Sequence, residues 1–513
     1  MASTTIAATF RFRPADAMNL ARYCLTNAAP AATDVALEVV GPAGAPLETW
    51  TYGRLEDTIL RVAGGLRRLG LVQGDRILLR IGHSSDFPLA FFGAIAGGFV
   101  PVPSSALLTA SECDLILADS GAVCVLHDGA TSLPAERTGV RFLGPDVLTD
   151  LKAAPAATYA ETQPDDPAFL IYTSGTSGYP KGVLHAQRAA LGRRPMDRGW
   201  YGMTRQDRLL HAGAFNWTYT LGVGLMDPWA NGATSIVYDG PRDPDVWPGV
   251  LEGCRATLFA AVPSLYRRVL KYGAVTPQSF PLLRHGLTAG EALSASLHAD
   301  WCERTGRPLF EALGMSEIST YVSSGPRVPT RPGSPGKPQA GRRVAVLDEA
   351  SDEARLLPGG DVGLLAVHRS DPGLMLGYFG RRAETEAAFR GEWFLTGDRA
   401  RFDAEGYLWY EGRADDVMNA FGYRVAPEEV ERVLASHPAV AEVAVTTLTR
   451  GQGLDLIAAF VVAREGFAPD ESDLATFAAD RLAEYKRPKL YRLVAELPHT
   501  PSGKLQRRRL QNS

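Results

Sequence analysis

The segment Tyr172-Thr173-Ser174-Gly175-Thr176-Ser177-Gly178-Tyr179-Pro180-Lys181-Gly182 gathers groups suited to holding an anion. Its three glycines open backbone conformations closed to other residues and allow close approach to a ligand. The hydroxyls of Thr173, Ser174, Thr176 and Ser177 can donate to phosphate oxygens. Successive backbone N–H groups can form a nest, and Lys181 adds a positive charge. The frame is not that of a Walker A loop, because glycine follows Lys181 where that motif has Ser or Thr. A flexible surface turn rich in Gly and Ser is the bland alternative. The apolar strand before the segment and the Pro-Lys-Gly after it favour a phosphate cradle.

Such a loop needs a scaffold. Apolar β-type runs over 76–81, 100–102, 122–127, 168–172, 235–238 and 257–262 alternate with helical patterns such as 86–98. That alternation predicts parallel sheets with helices on both faces. Pro and Gly cluster over 327–341, and strands over 343–347 and 362–368 open a β-rich, barrel-like part. A last pattern follows Asp415: helices over 427–436 and 471–485, and strands over 443–447, 456–462 and 490–497. It has the size of a small α+β domain. The expected organisation is a large N-terminal region over 1–413, a hinge at 414–416 and a small mobile domain over 417–513.

With 513 residues, 45% hydrophobic and 21% charged, the chain is globular and long enough to bury a large core. Its formal net charge of −4 argues against a dedicated nucleic-acid binder. Cys24, Cys113, Cys124, Cys254 and Cys302 are scattered and form no C-x-x-C pair, so neither a disulfide framework nor a zinc site is expected. No secretory leader and no long uncharged apolar run are visible, which predicts a cytoplasmic protein without membrane insertion.

The loop resembles the phosphate-loop signature of adenylate-forming enzymes, the superfamily of acyl-CoA synthetases, peptide-synthetase adenylation domains and luciferases. Further segments resemble that superfamily's motifs in order. Gly290-Glu291-Ala292 is similar to a turn beside the adenine, with Ala289 before it. Leu313-Gly314-Met315-Ser316-Glu317 is similar to Tyr-Gly-x-Thr-Glu; the resemblance implies that Ser316 contacts the α-phosphate and Glu317 supports Mg²⁺. Leu313 departs from the motif, since an aromatic residue usually stacks on adenine there. Glu311 joins the implied nucleotide set. Thr396-Gly397-Asp398 implies that Asp398 binds the ribose hydroxyls, and Gly412-Arg413-Ala414-Asp415 implies that Arg413 contacts the nucleotide and Asp415 is the pivot. Gly422 and Arg424 are implied to line a tunnel for the pantetheine arm. Pro498 to Gly503-Lys504 resembles the C-terminal motif whose lysine is catalytic. The resemblance spans about 37–510.

What it implies is an ATP-dependent acid–CoA ligase. A carboxylate attacks the α-phosphorus of ATP, pyrophosphate leaves, and the CoA thiol then takes the acyl group from acyl-AMP. Two like charges about 4 Å apart repel by about 4 kcal/mol at an effective dielectric near 20. Lys504 and Mg²⁺ near Glu317 would offset that repulsion. The implied acid pocket comprises Phe215, Asn216, Trp217, Ala289, Gly290 and Gly314. Gly314 stands where acetate-specific relatives carry tryptophan, so an acid larger than acetate is expected: aryl, alicyclic, branched or medium-chain. An adenylating enzyme that loads a carrier protein and a non-turnover nucleotide binder are the alternatives. The resemblance also leaves room for a homodimer and for acetylation of Lys504.

Overall fold

The computed structural model describes residues 17–173, 179–413, 418–420, 423–450, 454–464, 466–498, 505 and 507–511. Its largest sheet has nine strands. Six of them, Val35–Val40, Thr234–Tyr238, Arg208–His211, Leu258–Ala261, His285–Ala289 and Leu309–Met315, run parallel. Antiparallel strands flank them at both edges. A second, four-stranded sheet is parallel throughout. Between the sheets lies the helix Asp86–Ala96, whose residues from Phe87 onward are all buried. A helix apolar on every side must be covered on every side, and one large core joins it to both sheets.

The loop motif sits elsewhere. The strand Pro167–Thr173 pairs antiparallel with Lys181–Ala186 in a separate three-stranded sheet. The strand over 168–172 is thus a hairpin arm, not a member of a parallel sheet. Local apolar content cannot distinguish the two, because both faces of this strand are covered in either case. The β-rich part is a five-stranded antiparallel sheet. Among the described residues no ladder joins Val344–Leu347 to Leu408–Arg413, so the sheet is open rather than a barrel.

The C-terminal unit pairs Val440–Arg450 with Leu454–Ala463, and the latter with Leu490–Leu493. The helices Pro427–Ala435 and Glu471–Ala479 complete it, and it has a core of its own around Val430, Leu434, Val445, Ile457 and Leu474. The second helix ends at Ala479, short of the expected 485. Ala483 and Tyr485 instead pack against the large region's core around Leu78 and Val125. No helix among the described residues is long and apolar enough to cross a membrane.

Candidate active site

Four parallel strands of the large sheet, Arg208–His211, Leu258–Ala261, His285–Ala289 and Leu309–Met315, end at one cavity of about 770 Å³. Crevices beyond the carboxyl ends of parallel strands are where open α/β sheets bind ligands. The segments that follow these strands line it: Asn216 to Tyr219, Ser264, Gly290 to Leu293, and Ser316. Thr173, Asp398 and Gly412 close one side, and Met418, Tyr423 and Lys486 of the C-terminal unit close another. The cavity therefore lies between the two regions.

The implied nucleotide residues converge here. Thr173, Gly290, Glu291, Ala292, Glu311, Leu313, Gly314, Met315, Ser316 and Asp398 all line the cavity. Ser174, Gly175, Thr176, Ser177 and Gly178 lie outside the described residues, as do Asp415, Gly422 and Lys504. Arg413 ends a strand in register with Asp398, and Arg424 stands in the short strand Tyr423–Val425.

Several side chains do something other than expected. Lys181 is bonded to Glu384 at 2.5 Å and is not part of the cavity wall. Glu291 caps a helix. Pro263–Tyr272 has no side-chain cap of its own, and Glu291 accepts from the Ser264 N–H at 3.0 Å and from its hydroxyl at 3.1 Å. A carboxylate at a helix N-terminus answers the exposed N–H groups and the helix dipole, so Glu291 holds the turn in place. Phe215 does not line the cavity. It is buried in stacks with His83, centroids 4.5 Å apart, and Phe87, 5.1 Å apart. Gly314 is glycine because of backbone contact: a Cβ there would lie 2.6 Å from the Ser319 carbonyl oxygen. Its smallness is a demand of the hairpin and is not by itself a measure of the acid.

Glu311 is buried and accepts from the Leu293 N–H at 3.0 Å. Burial pushes its carboxyl up to about 7. Glu317 is also buried, and the Tyr378 hydroxyl donates to its Oε1 at 3.0 Å. Glu317 does not line the cavity, unlike its neighbour Ser316; a single carboxylate is enough for Mg²⁺, which takes one or two and completes its shell with phosphates and water. Asp398 is buried at the wall, and its N–H donates to Thr396 Oγ1 at 3.2 Å.

The aromatic part of the cavity wall was only half visible in the sequence. Trp217 lines the cavity and meets Tyr219 edge-on at 5.6 Å. On its other side it stacks with Tyr423 of the C-terminal unit, 6.0 Å between centroids and 12° between planes. Tyr423 in turn stacks on Tyr485 at 4.0 Å. Tyr219, Ala312 and Thr320 line the same wall. Tyr219 follows Trp217 by two residues and was within reach of sequence reasoning; Ala312 and Thr320 carry no local signal. Nor did Lys486 or Glu112, which meet across the two regions at 2.9 Å.

The chain is similar to known proteins over most of its length. Residues 27–379 match the model of the AMP-binding enzyme family, and 429–504 match that of the AMP-binding enzyme C-terminal domain. A benzoate–CoA ligase of Thauera aromatica is 33% identical over 487 residues, 91% of each chain. Among solved structures, a benzoate CoA ligase from Burkholderia xenovorans LB400 is 30% identical with a TM-score of 0.71, covering 96% of this chain and 99% of that one. The o-succinylbenzoate CoA synthetase of Bacillus subtilis, bound with its product analogue, is 25% identical with a TM-score of 0.83, covering 97% and 98%. The chain belongs to the AMP-binding enzyme family, as an AMP-forming acyl-CoA synthetase of the adenylate-forming superfamily.

Proposed function

We propose that the protein activates a benzoate-like aryl acid and passes it to CoA. The observation that carries this reading is the cavity wall made by Trp217, Tyr219, Ala289, Ala312 and Thr320. This patch, two aromatic rings meeting at 84° with two alanines and a threonine, itself contributes no charged side chain. That suits an aryl ring better than a flexible chain or a dicarboxylate. Similarity to ligases named for benzoate supports it.

In the first half-reaction the acid's carboxylate oxygen bonds to the α-phosphorus of ATP and the bond to pyrophosphate breaks. Ser316 contacts the α-phosphate, Asp398 holds the ribose and Lys504 supplies positive charge against the repulsion of the two anions. Glu317 would hold Mg²⁺, which supplies charge neutralisation on the phosphates. Holding the reactants in line is most of the remaining work. In the second half-reaction the CoA sulfur attacks the acyl carbon and AMP leaves. We assign the exchange of Lys504 for the thiol path to rotation of residues 417–513 about Asp415. The placement of Tyr423 against Trp217, and the higher TM-score to the product-analogue complex, support an arrangement suited to the second half-reaction. Acetylation of Lys504 would remove its charge and stop the first half-reaction.

The test is a panel of benzoate, hydroxybenzoates, acetate, malonate and octanoate in a pyrophosphate-release assay, with acyl-CoA detected by mass. Release and benzoyl-CoA formation with aryl acids are expected. Preference for acetate or malonate, or release without thioester, would overturn the substrate or the acceptor respectively.

A further inference from the structure

Beneath the loop that carries Ser316 and Glu317 lies a buried arginine outside the cavity wall. Arg193 is 5% exposed and Asp227, its partner, 3%. The guanidinium donates from Nε and Nη2 to the two oxygens of Asp227, both at 2.7 Å. Tyr201 donates its hydroxyl to the same carboxylate at 2.6 Å. Gly222 sits against the guanidinium so closely that a Cβ would fall 1.8 Å from its Cζ. A planar fork held on a carboxylate and pressed by backbone is a fixed point.

Its remaining donor, Nη1, bonds the hydroxyl oxygen of Ser319. Ser319 has φ of +74°, a left-handed value that only four non-glycine residues share among those described. Such a backbone is disfavoured for a residue with a Cβ and persists where its surroundings over-determine it. Both sides of Ser319 are pinned. Its side chain is held by Arg193, and its backbone is approached by Gly314 across the hairpin. Met315 and Ser319 are paired, so the three residues between them, Ser316, Glu317 and Ile318, have little freedom. The His185 ring bonds the Ser316 backbone and the Met375 N–H donates to the Glu317 carbonyl at 2.8 Å.

We propose that Arg193, acting through Ser319, is a positioning residue for acyl-AMP formation: it sets the turn that presents Ser316 and Glu317 to the nucleotide. The proposal rests on the adenylation reading given above. Arg193 touches no reacting group; it fixes the angle at which two that do leave the sheet. The second half-reaction does not require this turn to support charge developing toward pyrophosphate, so it depends on the tether far less.

Two substitutions separate tether from strain. Ser319→Ala removes the hydroxyl and keeps the Cβ at φ +74°. Ser319→Gly removes the hydroxyl and relieves the backbone. Were strain the only issue, the glycine variant would match the wild type. With the tether acting, both variants lose benzoate-dependent ATP–pyrophosphate exchange by about 10- to 100-fold, the effect of one hydrogen bond to a charged group. Benzoyl-CoA formation from supplied benzoyl-AMP stays within about twofold in both. Arg193→Lys, which keeps the charge on Asp227 but lacks the fork, behaves like the serine variants. Exchange unchanged in Ser319→Gly, or both half-reactions falling together, would overturn the tether. A wild-type chain silent in exchange would instead remove the adenylation reading, and the tether's role with it. Where Ser319→Ala fails to fold, the glycine variant decides alone, because it introduces neither bulk nor strain.

Discussion

Replacing Lys486 with methionine should damage one half-reaction and spare the other. Its Nζ lies 2.9 Å from Glu112 Oε1 and 2.6 Å from Glu429 Oε1, with all three side chains less than a tenth exposed. Burial disfavours the ammonium, but the carboxylates of Glu429 and Glu112 outweigh it and hold Lys486 well above the usual lysine range. Glu112 is further committed, since its other oxygen accepts from the Thr109 N–H at 3.0 Å and caps the helix Ala110–Ser120. Without the ammonium, two carboxylate oxygens face each other across no more than about 5.5 Å, the 2.9 and 2.6 Å distances laid end to end. At an effective dielectric near 20 this is a repulsion of about 3 kcal/mol. Breaking a buried ion pair typically costs about 3–5 kcal/mol. Glu112 belongs to the large region, and Lys486 and Glu429 to the C-terminal unit, so the cost falls on their docking more than on either fold. In half-reaction assays, thioester formation from benzoyl-AMP should fall about 10- to 100-fold, while pyrophosphate exchange stays within about threefold. Adding Glu112→Gln to Lys486→Met removes one of the facing charges and should recover about tenfold of the loss. Equal damage to both half-reactions, or a double variant no better than the single one, would refute the reasoning.

Three further outcomes are expected. Lys504→Ala should reduce pyrophosphate exchange by at least about 100-fold and leave thioester formation from benzoyl-AMP within about threefold; a rapid-quench assay of each half separates these. Asp197→Asn should stabilise the fold at high pH. Burial and the neighbouring Asp227 push the Asp197 carboxyl up to about 7, so the native state keeps a proton that the unfolded chain releases. Its destabilising effect is absent below about pH 4, grows through the interval and is complete above about pH 7. The gain in urea unfolding should therefore be at most about 4 kcal/mol at pH 8 and about 1.5 kcal/mol at pH 5; a gain independent of pH would contradict the assignment. Trp217→Ala should raise the KM for benzoate about tenfold or more with little change in KM for ATP, as expected for loss of an aromatic wall, and an unchanged benzoate KM in steady-state assays would exclude Trp217 from the pocket.

Much of the site was legible because its parts are local. Glycines, hydroxyls and a lysine within one loop, or Gly-Asp after a strand, carry their chemistry in a few consecutive residues. Asn216, Trp217 and Ala289, three residues that the resemblance implies for the acid pocket, line the cavity. What failed was orientation. Phe215 and Trp217 stand two residues apart in an irregular segment where no period says which side chain faces the ligand. Lys181 has a carboxylate neighbour, Glu384, two hundred residues away in the chain. The space around Gly314 depends on how closely another strand approaches, and a single residue's identity cannot report that. Leu313 lines the cavity and packs against the core of Val183 and Phe394, so its apolar character serves packing.

The order of motifs along the chain determined the family and the two-part organisation, because each motif's character depends on neighbours close to it in the chain. Tertiary structure alone decided that four strand ends share one cavity and that Tyr423 closes on Trp217. It also decided that Arg193 anchors Ser319 and that one lysine joins two glutamates from different regions. These depend on packing between residues from tens to hundreds of positions apart, where burial turns ordinary charges and hydroxyls into fixed supports.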